Sequence, residues 1–329
     1  MKKNIFWRAI PLVLALALLA GTIWAVYNQQ AIIDRFVVAS YQPTQEVNDI
    51  VDNIQLTDDG KFYFFAAQPE INNREQFRDN CSNRDKESII LGCYVSPQHI
   101  FIFDIDDDRL TGVKEVTSAH EMLHVAYDRL SSSEKQRVNG LLEEELAKIT
   151  DEKLQQRLSV YERTEPGEKF NELHSIIGTE ILSLSPELES YYSKYFINRK
   201  AVAEMAVQYE RLFRELQQQQ DGLGLELEQL VTELNRRIGS YNTEVNELSE
   251  DISDFNQKAR SNYFESEVEF NIARQQLMAR QDELDGERNA IEQLEQIYEQ
   301  KRAQLEALNS EAESLNRTLD SSLDPAPSI

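Results

Sequence analysis

Apolar positions fall into four patterns along the chain. From Ala9 to Tyr27 they are continuous, rich in Leu, Ala, Val and Ile, and carry no charge. A helix of that length spans about 28 Å, close to the hydrocarbon thickness of a bilayer. From Gln30 to Ile105 the apolar runs are short. Gln30 to Ser40 and Thr44 to Ile54 fit two short helices, and Thr57-Asp58-Asp59-Gly60 is a turn signal. The aromatic run Lys61 to Ala67 fits a strand, and Asn72 to Arg84 fits a loop with a helical turn. Ser88 to Val95 and His99 to Ile105, separated by Ser96-Pro97-Gln98, fit a hairpin or two neighbouring strands. A third pattern, of helical spacing, runs from Gly112 to Leu130, Glu134 to Ile149, Asp151 to Arg163 and, after the break at Pro166-Gly167, Glu168 to Ser183. Ser131 and Glu134 form a capping box before the second of these helices.

The fourth pattern begins at Ser185-Pro186, an N-cap followed by proline at the first helical position. Leu227, Leu230, Leu234, Ile238, Tyr241, Val245, Leu248, Ile252 and Phe255 recur three and four apart. Leu284, Ile291, Tyr298, Leu305, Ala312 and Leu319 recur seven apart. Charged and amide residues fill the other positions, as in a coiled coil. Ala259 to Phe264 interrupts the register, and Asn262 with Glu265 caps a fresh helix. The expectation is a helical hairpin with arms of about 55–60 residues, each about 85 Å long. A single rod and a parallel homodimer are the alternatives.

Together these patterns predict an α+β protein. A small domain, a short sheet followed by helices, lies between an N-terminal transmembrane helix and a long coiled-coil hairpin. The expected divisions are a cytoplasmic leader (1–8), an anchor (9–27), a globular domain (28–197), a coiled coil turning near 259–264 (198–320) and a disordered tail (321–329).

Composition narrows the partners. Among 329 residues, 58 acids oppose 34 bases, a net charge of −24. That balance excludes nucleic acid, because nothing neutralises phosphates. Lys2, Lys3 and Arg8 precede the apolar segment, which puts the N-terminus in the cytoplasm and the rest outside it. A cleaved signal peptide is the rival, though the apolar run is long and no clean small-residue cleavage site follows it. The implied location is a cell membrane, crossed once, with a bacterial setting assumed. The only two cysteines, Cys81 and Cys93, are expected to pair in that oxidising compartment.

The candidate chemistry lies in Ala119-His120-Glu121-Met122-Leu123-His124, an HExxH pattern within the Gly112–Leu130 helix. Residues four apart share a helix face, so His120 and His124 can address one centre. Imidazole nitrogens suit Zn2+, and three protein ligands with a water make a catalytic site. Glu121 stands where such sites keep the general base. Three of the four histidines fall in this helix and in Glu168–Ser183; His99 reads as structural or lining. Two imidazoles leave zinc short of a ligand, and the Glu168–Ser183 helix is the expected source of a third. Its candidates are Glu172, Glu180 and His174. Glu180 shares a face with Glu172 but lies about 12 Å along the axis, and His174 points about 200° away. Oxyanion donors would come from His174, Tyr161, Tyr191, Tyr192 or Tyr195. Asp104, Asp106, Asp107 and Asp108 form an acidic knot, read as a solvated turn near a helix N-terminus in preference to a calcium site.

HExxH followed by Asn171-Glu172-Leu173-His174-Ser175 on a later helix resembles the gluzincin group of zinc metallopeptidases, over roughly Lys61 to Glu189. The resemblance implies His120 and His124 as the histidine ligands, Glu121 as the base and Glu172 as the glutamate ligand. Ile176 departs from the pattern, which often places an acid there. The implied function is a membrane-anchored, extracytoplasmic zinc-dependent peptidase acting on peptide or protein substrates. An unpaired edge strand before the motif would hold an extended peptide beside the metal. The alternative is a non-catalytic coiled-coil envelope scaffold with a structural or degenerate metal site, joined to a coiled-coil partner or to itself. Zinc hydrolysis of cell-wall amides is a third reading, with no wall-binding motif behind it.

Overall fold

The structure is a computed structural model that describes residues 3–81, 90–149, 155, 158 and 167–322, with side chains from residue 13 onward. Eleven helices and three strands follow one another among the described residues. They are α1 (Lys3–Tyr27), α2 (Gln29–Ser40), α3 (Gln45–Asn53), α4 (Asp58–Ala66), β1 (Glu70–Asn72), α5 (Arg74–Cys81), β2 (Gly92–Val95) and β3 (His99–Phe103). A 3-10 turn at Asp108–Leu110 leads to α6 (Val113–Asp128), α7 (Ser132–Leu146), α8 (Lys169–Glu180), α9 (Pro186–Tyr192), α10 (Arg199–Arg260) and α11 (Glu267–Leu319). Of the expected Asp151–Arg163 helix only Gln155 and Leu158 are described, both helical; Tyr161 lies outside the described residues, as does the tail from 323.

The expected α+β class is overturned. The protein is 78% helical, and its sheet has three short strands. The largest single change is at Lys61–Ala67, which is helix α4 and not a strand. Thr57 caps that helix, its Oγ1 accepting from the Gly60 N–H at 3.1 Å, and Asp58 and Asp59 complement the helix dipole in the first turn. Those start signals outweigh the strand preference of four aromatic residues, whose value depends on a sheet to pack against. The expected anchor is corrected too. Among the described residues no single helix is long and apolar enough to cross a membrane; only the bent pair Val13–Tyr27 and Gln29–Ser40, at 71°, passes by length and composition.

The sheet order is β1-β3-β2. β1 and β3 are parallel, with Glu70 opposite Phe101, and β2 and β3 are antiparallel, with Gly92 opposite Ile102. β2 is therefore an edge strand. The Cys81–Cys93 disulfide ties α5 to it.

The chain divides into two compact units, residues 1–211 with 316–329, and residues 212–315. At the centre of the first lies α6, with Ala119, Met122, Leu123, Val125 and Ala126 all buried. A helix apolar on most of its circumference belongs inside a core. It packs most extensively on α8, through Leu173, Ile176 and Ile177. The capping box at Ser131 and Glu134 starts α7. Arg199, 3% exposed, closes the end of α8: its guanidinium donates to the carbonyls of Ile181 (2.7 Å) and Leu182 (3.0 Å) and pairs with Glu189 (2.6 Å). Helix does not continue from Ser185 into the coiled coil as expected. After α9 the chain leaves helix so that Phe196 can bridge to Leu56 and the Ile197 N–H can donate to the Gln55 carbonyl.

Gly178 sets the spacing between α6 and α8. A Cβ there would stand 2.4 Å from Leu123 Cδ1 and 2.8 Å from Tyr192 Cε1, and both side chains are fully buried. Gly178→Ala is therefore expected to destabilise the protein by about 1–3 kcal/mol through overpacking. Gly140→Ala, on α7 with open space around it, is expected to stabilise by about 0.5–1 kcal/mol. Urea denaturation of the two variants checks the pair; equal effects would show that close approach at Gly178 is not the constraint.

Within residues 212–315, α10 and α11 run antiparallel. Gln220 bonds Asn309, Glu226 pairs with Lys301, Arg237 with Glu287 and Asp251 with Arg280. The partner numbers fall as the first numbers rise, which defines a hairpin and excludes a single rod. Leu234, Leu248, Leu284 and Ile291 are the buried seam.

Candidate metal centre

α6 places His120 and His124 one turn apart, their ring centroids 4.8 Å from each other. α8 brings Glu172 against both. Its Oε2 is 3.7 Å from His120 Nε2, and its Oε1 is 3.5 Å from His124 Nε2. One ligand atom from each of the three residues lies within 4.8 Å of the others. Ligands held at about 2.0–2.1 Å by a tetrahedral zinc lie about 3.3 Å apart, so the donors fit such an ion after a small inward shift. Among the described residues, no other set of three or more His, Cys, Asp or Glu side chains is close enough to share an ion.

The tautomer of His124 follows from its neighbours. Asn171 Nδ2 donates to Glu168 Oε2 at 2.9 Å, and a carboxylate can only accept. That orients the amide and leaves Asn171 Oδ1 as the acceptor toward His124 Nδ1, 2.9 Å away. His124 therefore carries its proton on Nδ1 and turns the Nε2 lone pair toward Glu172. Burial pulls the His120 imidazole down, but the carboxylates of Glu172, Glu121 and Glu180 outweigh it and hold His120 above its ordinary value.

Glu121 is 5% exposed, and its Oε2 has no hydrogen-bond partner among the described residues. A buried carboxylate oxygen without a donor is an uncommon arrangement, and it suits an acceptor reserved for a water or substrate proton. Gly92 of β2 lies against this side chain: a Cβ there would meet Thr117 Cγ2 at 2.5 Å and both Cγ and Oε1 of Glu121 at 2.9 Å.

The other sequence candidates lie elsewhere. Glu180 ends α8, outside the three-residue group, and reaches it through its charge on His120. His174 is fully buried among Tyr127, Tyr191, Tyr192 and Tyr195. Its Nε2 meets the Tyr191 hydroxyl at 2.9 Å, and burial, followed by the two nearby imidazoles, pushes it down to about 3. Tyr191 also meets Tyr195 (3.3 Å), and Tyr192 donates to the His174 carbonyl (2.7 Å). These contacts make His174, Tyr191, Tyr192 and Tyr195 a packed cage between α8 and α9. His99 is exposed and stacks on Phe101. In the acidic knot, Asp107 caps the 3-10 turn and pairs with Arg109, while Asp104 pairs with Lys114.

Sequence reasoning gave no role to Asn171 or Gly92. Asn171 was visible beside Glu172, but its bond to His124 depends on how α6 and α8 cross. No family model, curated protein or solved structure matches this chain.

Proposed function

We propose that the protein is a zinc-dependent peptidase. The observation that carries this reading is the convergence of His120, His124 and Glu172 beside a buried, unpartnered Glu121 Oε2. Two imidazoles and a carboxylate suit zinc, and three protein donors leave a position for water or substrate. When bound, zinc would supply Lewis acidity toward a carbonyl oxygen and acidify a water. The chain's own work is proton handling: Glu121 Oε2 accepts a proton from the attacking water and returns it to the leaving amine. β2 supports a peptide substrate. Phe103 N–H bonds to the Leu91 carbonyl, so alternation along the antiparallel pair turns the Gly92 N–H and C=O away from β3, toward the outer edge. An extended chain laid along that edge would run past Glu121. The disulfide supports an extracytoplasmic setting.

Equilibrium dialysis of the purified protein is expected to give one equivalent of zinc. Cleavage of internally quenched peptides is expected to stop on chelation and return with zinc. Zinc bound without turnover would instead favour the scaffold reading. Asn171→Ala is expected to weaken zinc binding by about 10–100-fold in competition with a chromophoric chelator, because His124 loses the group that fixes its tautomer. An unchanged affinity would refute that tautomer assignment. Gly92→Ala is expected to retain zinc while lowering kcat/KM by about 100-fold, since displacing a reacting group by about 1 Å has that scale of effect. Full activity in that variant would show that Glu121 tolerates the crowding.

A further inference from the structure

The closed end of the hairpin differs from the seam behind it. α10 stops at Arg260, Asn262 takes a left-handed conformation (φ 54°), and α11 restarts at Glu267 after Ser266 caps it through the Glu269 N–H. Phe255, Phe264 and Phe270 close the end, with ring centroids 5.2–5.5 Å apart. That cluster accounts for the turn. Tyr263, 61% exposed, lies edge-on to Phe264 with ring centroids 6.0 Å apart; the cluster does not account for Val268, Ile272 and Met278, which are 68%, 52% and 53% exposed.

The seam of α11 is set by Leu277, Leu284 and Ile291, seven apart. At 100° per residue, Val268 and Ile272 stand about 180° and 140° from Leu277. They lie four apart on one face, turned from the partner helix. A cavity of about 740 Å3 sits beside them, lined on its apolar side by Phe255, Tyr263, Phe264, Ile272 and Leu277. Clustered exposed apolar side chains beside a concavity mark an interaction site.

Charge selects the occupant. Between residues 247 and 280, seven carboxylates stand against Lys258, Arg260, Arg274 and Arg280, an excess of three negative charges, and Arg280 is itself paired with Asp251. Lys258 is already paired with Asp254 at 2.7 Å. Among the described residues Glu250, Glu265 and Glu267 have no cationic partner. An anionic lipid surface and a second copy of the same acidic end are both repelled. A ligand that satisfies both features brings apolar side chains on one face and lysine or arginine on the other. We propose that the closed end of the hairpin docks a cationic amphipathic helix of a partner protein, its apolar face on Val268, Ile272 and the neighbouring cavity.

The test uses the full chain and a dye-labelled, eighteen-residue amphipathic helix of leucine and lysine, read by fluorescence anisotropy. Its leucine–glutamate counterpart and anionic vesicles are the comparison arms. The lysine peptide is expected to bind, to weaken as salt rises, and to bind V268D/I272D at least about tenfold more weakly. That variant adds negative charge, so attraction by charge alone would strengthen binding. Charge reversal at E250K/E265K/E267K is expected to weaken it as well. Both variants change exposed positions, and unchanged far-UV circular dichroism shows that the helices persist. The proposal is overturned if the lysine peptide does not bind, if wild type and V268D/I272D bind it equally, or if V268D/I272D instead abolishes vesicle binding or self-association. Peptidase activity enters none of these readings.

Discussion

Glu121→Gln is expected to leave zinc binding intact and to lower kcat/KM for a quenched peptide about 1,000-fold. Glutamine keeps the size and shape of the side chain, so its packing against Gly92 and Thr117 is preserved. What it loses is a basic oxygen. Positioned general acid–base groups contribute about 10²–10⁴-fold, and Glu121 serves twice in the proposed cycle, once in each direction of proton transfer. The carboxylate lies outside the group formed by His120, His124 and Glu172, so zinc stoichiometry should not move. The two measurements have to be made on one preparation. A variant that cuts like wild type removes Glu121 from the mechanism. A variant that loses zinc together with activity makes Glu121 part of the metal site, and the division between ligands and base would have to be redrawn.

The same helix shows what could be read before the structure. The i, i+4 spacing of His120 and His124 is a local property of any α-helix, so it survives whatever the chain does elsewhere. The hairpin was legible for a similar reason, because a seven-residue repeat on both arms with a break near 259–264 leaves few packings. The capping box at Ser131 is again local. Helix α4 was not legible, since a short aromatic run satisfies either period and only its cap at Thr57 decides. Helix α4 takes one of the three runs expected as strands, and the short β1 at Glu70–Asn72 fills that place in the sheet. The choice among Glu172, Glu180 and His174 depended on the crossing of α6 and α8. That crossing is set by Gly178, a residue with no chemistry of its own. His174 illustrates the limit most clearly: beside the metal candidates in sequence, it is drawn by helical rotation into a tyrosine cage.

Asp34→Ala is expected to destabilise the first unit by about 3–5 kcal/mol, the cost of leaving a buried charge without its partner. Asp34 is fully buried on α2 and holds Arg129 in a fork, with Nε and Nη2 each 3.1 Å from a carboxylate oxygen. Arg129 ends the motif helix, where a cation also complements the helix dipole. The same guanidinium donates to the Tyr94 hydroxyl and to the Pro97 carbonyl, both at 2.6 Å. One cation thus joins α2, α6 and the β2–β3 turn. Sequence alone marks Asp34 only as a lone acid between Ile33 and Arg35, and its partner is 95 residues away. Urea unfolding followed by near-UV circular dichroism isolates this unit, because the tyrosine-rich cage around His174 belongs to it, whereas far-UV signal is dominated by the long helices. Replacing both partners, as Asp34→Leu with Arg129→Met, is expected to recover most of the loss, since an apolar pair of similar volume removes the stranded charge. Should Asp34→Ala unfold at the wild-type urea concentration, the fork contributes no net stability and α2 is not fastened to the motif helix by charge. Should the double variant be as unstable as Asp34→Ala, the bonds of Arg129 to Tyr94 and Pro97, which only the double variant loses, are worth as much as relief of the stranded charge.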